Sequence, residues 1–134
     1  MEMVNKGSVI MKVLCGTDII EIDRIKRAIQ RKEDKFLEEI YTKQEIDYCK
    51  SKKNAMYESF AARFAAKEAI LKIVYNLVIK KSDVSFKNIE IVNNKNGKPQ
   101  IQFNNIEFSQ IKSIDISISH CKKYATANAT AIVE

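Results

Sequence analysis

A chain of 134 residues with net charge +6, 46% hydrophobic and 30% charged residues has room for one cored domain and no more. No apolar run approaches a membrane span, and residues 1–10 lack the apolar stretch of a signal peptide; they are expected to be a disordered extension of a single domain at 11–134. Cys15, Cys49 and Cys121 form no C-x-x-C pair, which argues against a disulfide framework or a structural zinc and suits a reducing cytoplasm, while the positive charge asks for an acidic or phosphate-bearing partner.

Residues 12–22 are β-branched and apolar and predict a strand beginning near Met11, interrupted by Asp18. An acid inside such a run is costly unless something binds it. The alternative places Asp18 at a strand end or bulge, its carboxylate capping nearby amides, and the residues alone leave both readings open. Asp23 can cap a short helix over 24–31 whose outer side is strongly basic, and 35–41 reads as a second helical piece. Thr42-Lys43-Gln44-Glu45 is a capping box that opens a helix running to about Lys50. The polar stretch 51–54 then breaks the pattern, with Ser51 or Asn54 available to cap a long helix ending near Tyr75 and Asn76.

In that long helix Phe60, Phe64 and Leu71 form one apolar stripe, and Ala62, Ala66, Ala69 and Ile73 form a nearly opposite one. A helix apolar on two sides is expected to be buried, across a sheet. Arg63 and Lys67 flank the aromatic stripe on one side, Glu68 and Lys72 on the other. They read either as an i,i+4 ion pair with snorkelling lysines, or as a carboxylate offered to a metal with cations alongside for an anion.

Beyond Asn76 the pattern alternates. Residues 84–92 and 100–103 flank an Asn96-Gly97 turn and predict a hairpin. Ile114, Ile116 and Ile118 predict a third strand, and 124–133 a fourth, whose alanine face would let the long helix or another subunit approach closely. The single histidine, His120, leaves the third strand just before Lys122 and Lys123, where a phosphate contact is possible. No Gly-rich phosphate loop and no G-x-S-x-G is present, and the aromatics do not interleave with the basic residues as a nucleic-acid stacking platform requires.

Four segments, in order, resemble the motifs of bacterial holo-[acyl-carrier-protein] synthases: Gly16–Ile25, Phe60–Ala69, Asn96–Pro99 and Ile116–His120. The resemblance runs from about Val13 to the C-terminus. It implies an α+β fold of the 4′-phosphopantetheinyl transferase type, an antiparallel sheet wrapped around a long central helix. It implies transfer of 4′-phosphopantetheine from coenzyme A to a serine of apo-acyl carrier protein, with Mg²⁺, in a cytoplasmic homotrimer whose active sites lie between subunits. No nucleic acid and no membrane is expected as a partner; the alternative is a basic nucleic-acid-binding or carrier-binding module without catalysis.

Carried over by motif, Asp18 and Glu68 are the metal ligands, and with Lys72 the catalytic set. The serine proton goes to Glu68 or to a water on the metal, which the sequence does not separate. Arg63, Lys67, Lys72, Gly97, Pro99 and His120 are the coenzyme A contacts, His120 across the subunit interface. Arg24, Arg27, Arg31, Lys35 and Phe36 are the carrier-protein contacts. Two departures stand out. Val74–Ile79 lacks the glycine that many relatives carry in a cofactor-holding turn, where Asn76 is expected to take a left-handed conformation, and Cys121 follows His120 where other residues are usual.

Overall fold

The computed structural model describes residues 2–4, 10–32 and 34–134, the first three as backbone only. A long strand β2 (Ile10–Glu21) leads into α1 (Ile22–Lys32), α2 (Asp34–Ile40), α3 (Lys43–Ser51) and the central helix α4 (Met56–Val74). A hairpin of β3 (Ile89–Asn93) and β4 (Pro99–Phe103) follows, then β5 (Ile111–His120) and β6 (Tyr124–Val133). With β1 (Glu2–Val4), the long strands form an antiparallel sheet in the order β1-β2-β6-β5. The strand at Glu2–Val4, paired with Ile10–Lys12, departs from the disordered extension expected there; residues 1 and 5–9 lie outside the described residues.

The alanines of β6 explain how the sheet holds α4. Ala127, Ala129, Ala131 and Val133 point inward and are buried with Ala65, Ala66, Ala69 and Ile70 of the helix, and Ala125 with Ala61 and Ala62. Small side chains on both partners bring helix and sheet close together, so the alanine face is filled by α4 of the same chain. Closest of all is Gly16 in β2, where a Cβ would lie 1.9 Å from the carbonyl oxygen of Ala69. Any side chain at Gly16 would lift α4 off β2 and pull the next helical turn away from Asp18. Both apolar sides of α4 are largely buried, and burial extends to Arg63 and Lys67, while Phe64 and Glu68 are part-buried and Lys72 is exposed along one open stripe.

Several local expectations are met. Thr42 caps α3 with its hydroxyl on the Glu45 amide, and the Glu45 carboxylate reciprocates to the Thr42 amide at 2.9 Å. Gly97 makes the hairpin turn at φ +81°. Others are corrected. Neither Ser51 nor Asn54 caps α4; the Ser51 hydroxyl donates to Tyr48 O, and α4 grows out of a 3-10 turn (Lys53–Ala55) without a side-chain cap. Asn76 does not turn left-handed. The end of α4 tightens instead, with the Asn76 amide nitrogen on Ile73 O at 3.1 Å and its side chain donating to Lys72 O at 2.9 Å. The first strand of the hairpin is shorter than 84–92, because residues 86–88 form another 3-10 turn.

Candidate active site

Two groups of functional side chains sit on opposite flanks of α4. The first gathers around Asp18. Strand β2 runs through it in continuous register, with Asp18 opposite Ala127, so it is neither a strand end nor a bulge, although the Ile19 amide reaches its carboxylate. Alternation along β2 turns Asp18 to the helix side together with Gly16, and the close approach at Gly16 brings Glu68 and Lys72 over it. Lys72 Nζ donates to Thr17 O at 2.6 Å and lies 3.7 Å from Asp18 Oδ1.

Both acids resist ionisation. Burial pushes the Asp18 carboxyl up against the opposing pull of Lys72. Glu68 is raised by burial first and then by the charge of Asp18. Two partly buried carboxylates that repel one another, with one cation between a backbone carbonyl and an acid, are under-neutralised; a hard divalent cation supplies the missing charge. Two oxygen donors leave most of an octahedral shell to water and a phosphate-bearing substrate, which is how Mg²⁺ is usually held. The residues therefore fit Mg²⁺. Among the described residues no group of three or more His, Cys, Asp or Glu offers a fuller cage.

A largely apolar cleft of about 400 Å³ opens beside this pair, lined by Ile20, Ile25, Phe36 and Phe64 together with Asp18, Glu68 and Arg24. Arg24 also borders the neighbouring depression formed with Arg27, Ala28 and Arg31. The basic face of α1 thus runs continuously up to the acid pair. Arg27 is tied to Asp23 at 3.1 Å, and Lys35 is exposed at the start of α2.

The second group lies across β6. Asp18 and Ile118 both pair with Ala127, so the strand carrying His120 is two strands, about 10 Å, from the strand carrying Asp18. Arg63, five residues before Glu68, emerges on this other flank. Its guanidinium stacks 4.0 Å over the Tyr48 ring and donates through Nη2 to Asn93 Oδ1 at 2.6 Å, while its buried Nε has no hydrogen-bond partner among the described residues. Tyr48, Lys52, Arg63, Pro99 and His120 line a cleft of about 250 Å³. Gly97 serves the hairpin turn and is not among the residues lining this cleft.

Lys67 belongs to neither group, which corrects its place among the expected cofactor contacts. It is fully buried, 2.5 Å from Glu45, and donates to Ile40 O at 2.7 Å and Phe86 O at 3.1 Å. Burial pulls its pKa down and Glu45 opposes that pull. Glu45 in turn accepts from the Ile91 amide, and Glu90 accepts from Thr42 Oγ1 and Asn104. These acids were missed as buried partners; Glu90 lies inside an apolar run, the same signal that singles out Asp18. Tyr48 and Asn93, which hold Arg63, carry no sequence signal of that role.

Residues 14–129 match the family model of the 4′-phosphopantetheinyl transferase superfamily. The holo-[acyl-carrier-protein] synthase of Ruminiclostridium cellulolyticum is 45% identical, covering 89% of this chain and 91% of its own. That of Chlamydia muridarum is also 45% identical, over 88% and 93%. Among solved structures, the Bacillus anthracis holo-(acyl-carrier-protein) synthase in complex with CoA (3′,5′-ADP) superposes with TM-score 0.73 at 36% identity, covering 90% of this chain and 96% of that one. The Helicobacter pylori synthase in complex with coenzyme A gives TM-score 0.75 at 32% identity, over 88% and 99%. A family model that spans residues 14–129 and identities of up to 45% over most of both chains place this chain in the 4′-phosphopantetheinyl transferase superfamily, among the holo-[acyl-carrier-protein] synthases.

Proposed function

We infer that the chain transfers 4′-phosphopantetheine from coenzyme A to a serine of apo-acyl carrier protein. The serine oxygen bonds to the pantetheine-bearing phosphorus, the bond from that phosphorus to the bridging diphosphate oxygen breaks, and adenosine 3′,5′-bisphosphate leaves. The observation that carries this reading is the under-neutralised pair Asp18 and Glu68, set at the junction of an apolar cleft and a basic helix. Asp18 and Glu68 hold Mg²⁺, which when bound neutralises charge on the diphosphate and polarises it for attack. Lys72 fixes Asp18 against β2 and adds a second positive charge. The serine proton passes to Glu68 or to a water beside it.

Acyl carrier protein, an acidic partner, docks on α1 through Arg24, Arg27 and Arg31, with Lys35 alongside and Phe36 as apolar anchor. Arg63, Pro99 and His120 take the nucleotide end of coenzyme A. Because these residues stand on the other flank of α4 from Asp18 in one chain, they serve the acid pair of a neighbouring copy, which makes the active assembly a homotrimer with shared sites. Three free thiols agree with a cytoplasmic location, and no helix of the described residues is long and apolar enough to cross a membrane.

The test is the intact mass of apo-acyl carrier protein incubated with this chain, coenzyme A and Mg²⁺. A phosphopantetheine-sized gain that EDTA blocks is expected; no gain with a folded enzyme defeats the reading. Site sharing has its own test. Glu68→Gln and Arg63→Ala proteins, each inactive alone, recover activity when unfolded and refolded together, and a mixture that stays inactive argues for sites within one chain.

A further inference from the structure

Arg63 carries a charge that the fold leaves open. Its side chain is 6% exposed, and among the described residues no carboxylate pairs with it. The groups that meet its guanidinium are neutral: the Tyr48 ring, 4.0 Å away, and Asn93 Oδ1. A buried cation held only by neutral groups keeps its full charge, at a desolvation cost that an anion would offset. Lys67, one turn further along α4, shows the closed alternative, because Glu45 neutralises it inside the chain.

Tyr48 holds a second cation. It stands in the last turn of α3 at i to the i+4 of Lys52, so the two side chains share one helix face. Lys52 Nζ lies 4.7 Å from the centroid of the same ring, and it too has no carboxylate partner among the described residues. Lys53 then turns left-handed at φ +54°, which ends α3 and leads the chain through the 3-10 turn into α4. Arg63 returns from α4 to the ring, so one phenol is shared by cations of two helices. Asn93 ties in a third element: it accepts from Arg63 Nη2 and donates through Nδ2 to Gly97 O at 3.0 Å, across the hairpin turn. Tyr48, Lys52 and Arg63 all line the cleft that holds Pro99 and His120, and Glu58, the carboxylate on its wall, forms an ion pair with neither cation. Resting on the transferase reading above, we propose that Tyr48 is a positioning residue that holds Lys52 and Arg63 together as one phosphate-binding site for the nucleotide end of coenzyme A, with Lys52 as a further contact. Two cations brought to one ring repel each other, and the negative face of the ring offsets part of that repulsion. Both donors are then in place before the anion arrives, which lowers the ordering cost of binding it.

The experiment measures the affinity for adenosine 3′,5′-bisphosphate by calorimetry, with KM for coenzyme A and for apo-acyl carrier protein alongside. Lys52→Met, at an exposed position, weakens the nucleotide about tenfold and raises KM for coenzyme A alike, with KM for the carrier protein unmoved. Tyr48→Leu, which keeps apolar volume but removes the ring, loses at least as much because it frees both cations, and Tyr48→Phe, which keeps the ring, recovers most of that loss. High salt narrows the gap between wild type and either weakened variant, as a charge contact requires and a packing defect does not. In the double variant the Tyr48→Leu and Lys52→Met losses fall short of their sum, because one residue acts through the other. Unchanged nucleotide affinity in either single variant overturns the proposal, and so do fully additive losses. Variants that loosen the oligomer while binding the nucleotide like wild type also overturn it, since a carboxylate of a neighbouring copy would then complete these cations. If the wild-type chain makes holo-carrier protein while the variants bind unchanged, only this assignment falls. A wild-type chain that makes none sinks the transferase reading itself, and the calorimetry still decides whether the two cations share an anion.

Discussion

Two lysines five residues apart on α4 meet two carboxylates in different ways. Lys67 and Glu45 are both fully buried at 2.5 Å, and every remaining polar contact of the pair is filled by a backbone group: Ile40 O and Phe86 O on the ammonium, the Thr42 and Ile91 amides on the carboxylate. Lys72 is half exposed and lies 3.7 Å from Asp18, beside a second acid, Glu68, that has no ion pair of its own among the described residues. A saturated pair closes a core, joining α2, α3 and β3 to the central helix. An unsaturated one leaves charge for a ligand to complete. The same helix thus carries its anchor and its chemistry one and a half turns apart.

Breaking the open site should cost the most. Glu68→Gln is expected to leave the fold intact and lower phosphopantetheine transfer by about a thousandfold or more, read by mass spectrometry of the carrier protein. Near-normal turnover would remove Glu68 from the site. Breaking the closed pair should act on stability instead. Lys67→Met leaves Glu45 buried and unpaired and should cost about 3–5 kcal/mol in denaturant unfolding. Adding Glu45→Gln should return part of that loss, because the orphaned charge is gone; a Lys67→Met protein as stable as wild type would mean that the pair is not what holds these elements.

A smaller effect separates the two ends of the cleft. Arg24→Ala should raise KM for acyl carrier protein about tenfold and leave KM for coenzyme A alone, and equal losses in both would defeat the docking assignment. Smallest is the pH effect. The carboxyls of Asp18 and Glu68 titrate above their ordinary values of 3.8 and 4.5 when folded, so ionising them opposes folding. Their contribution is fully present below those values and is lost as pH rises through the raised ones. In EDTA at neutral pH, Glu68→Gln should therefore melt slightly higher than wild type, and the gap should close as pH falls below the ordinary carboxylate range. Mg²⁺ should raise the wild-type Tm at neutral pH and do nothing in acid. A Glu68→Gln protein that melts lower at neutral pH would show that Glu68 is satisfied as it stands, like Glu45.

Much of this was legible in the sequence because it is local. Helical spacing marks α4 as buried on two sides, the Thr42–Glu45 box fixes the start of α3, Asn96-Gly97 fixes the hairpin, and the alternation at 124–133 gives β6 to the residue. Asp18 and Glu68 stand out because acids in apolar or helical runs demand a reason, and the motifs around them match a family. Other features depend on partners far along the chain. Nothing near Lys67 says that Glu45, Ile40 and Phe86 will close around it, so its motif position suggested a ligand where the fold supplies a core. Nor does any local pattern say that Arg63 and His120 face away from Asp18, which follows from β6 lying between β2 and β5. Spacing along a chain sets which face a side chain takes. Which of those faces becomes core, and which stays open to a ligand, is decided only when distant elements pack.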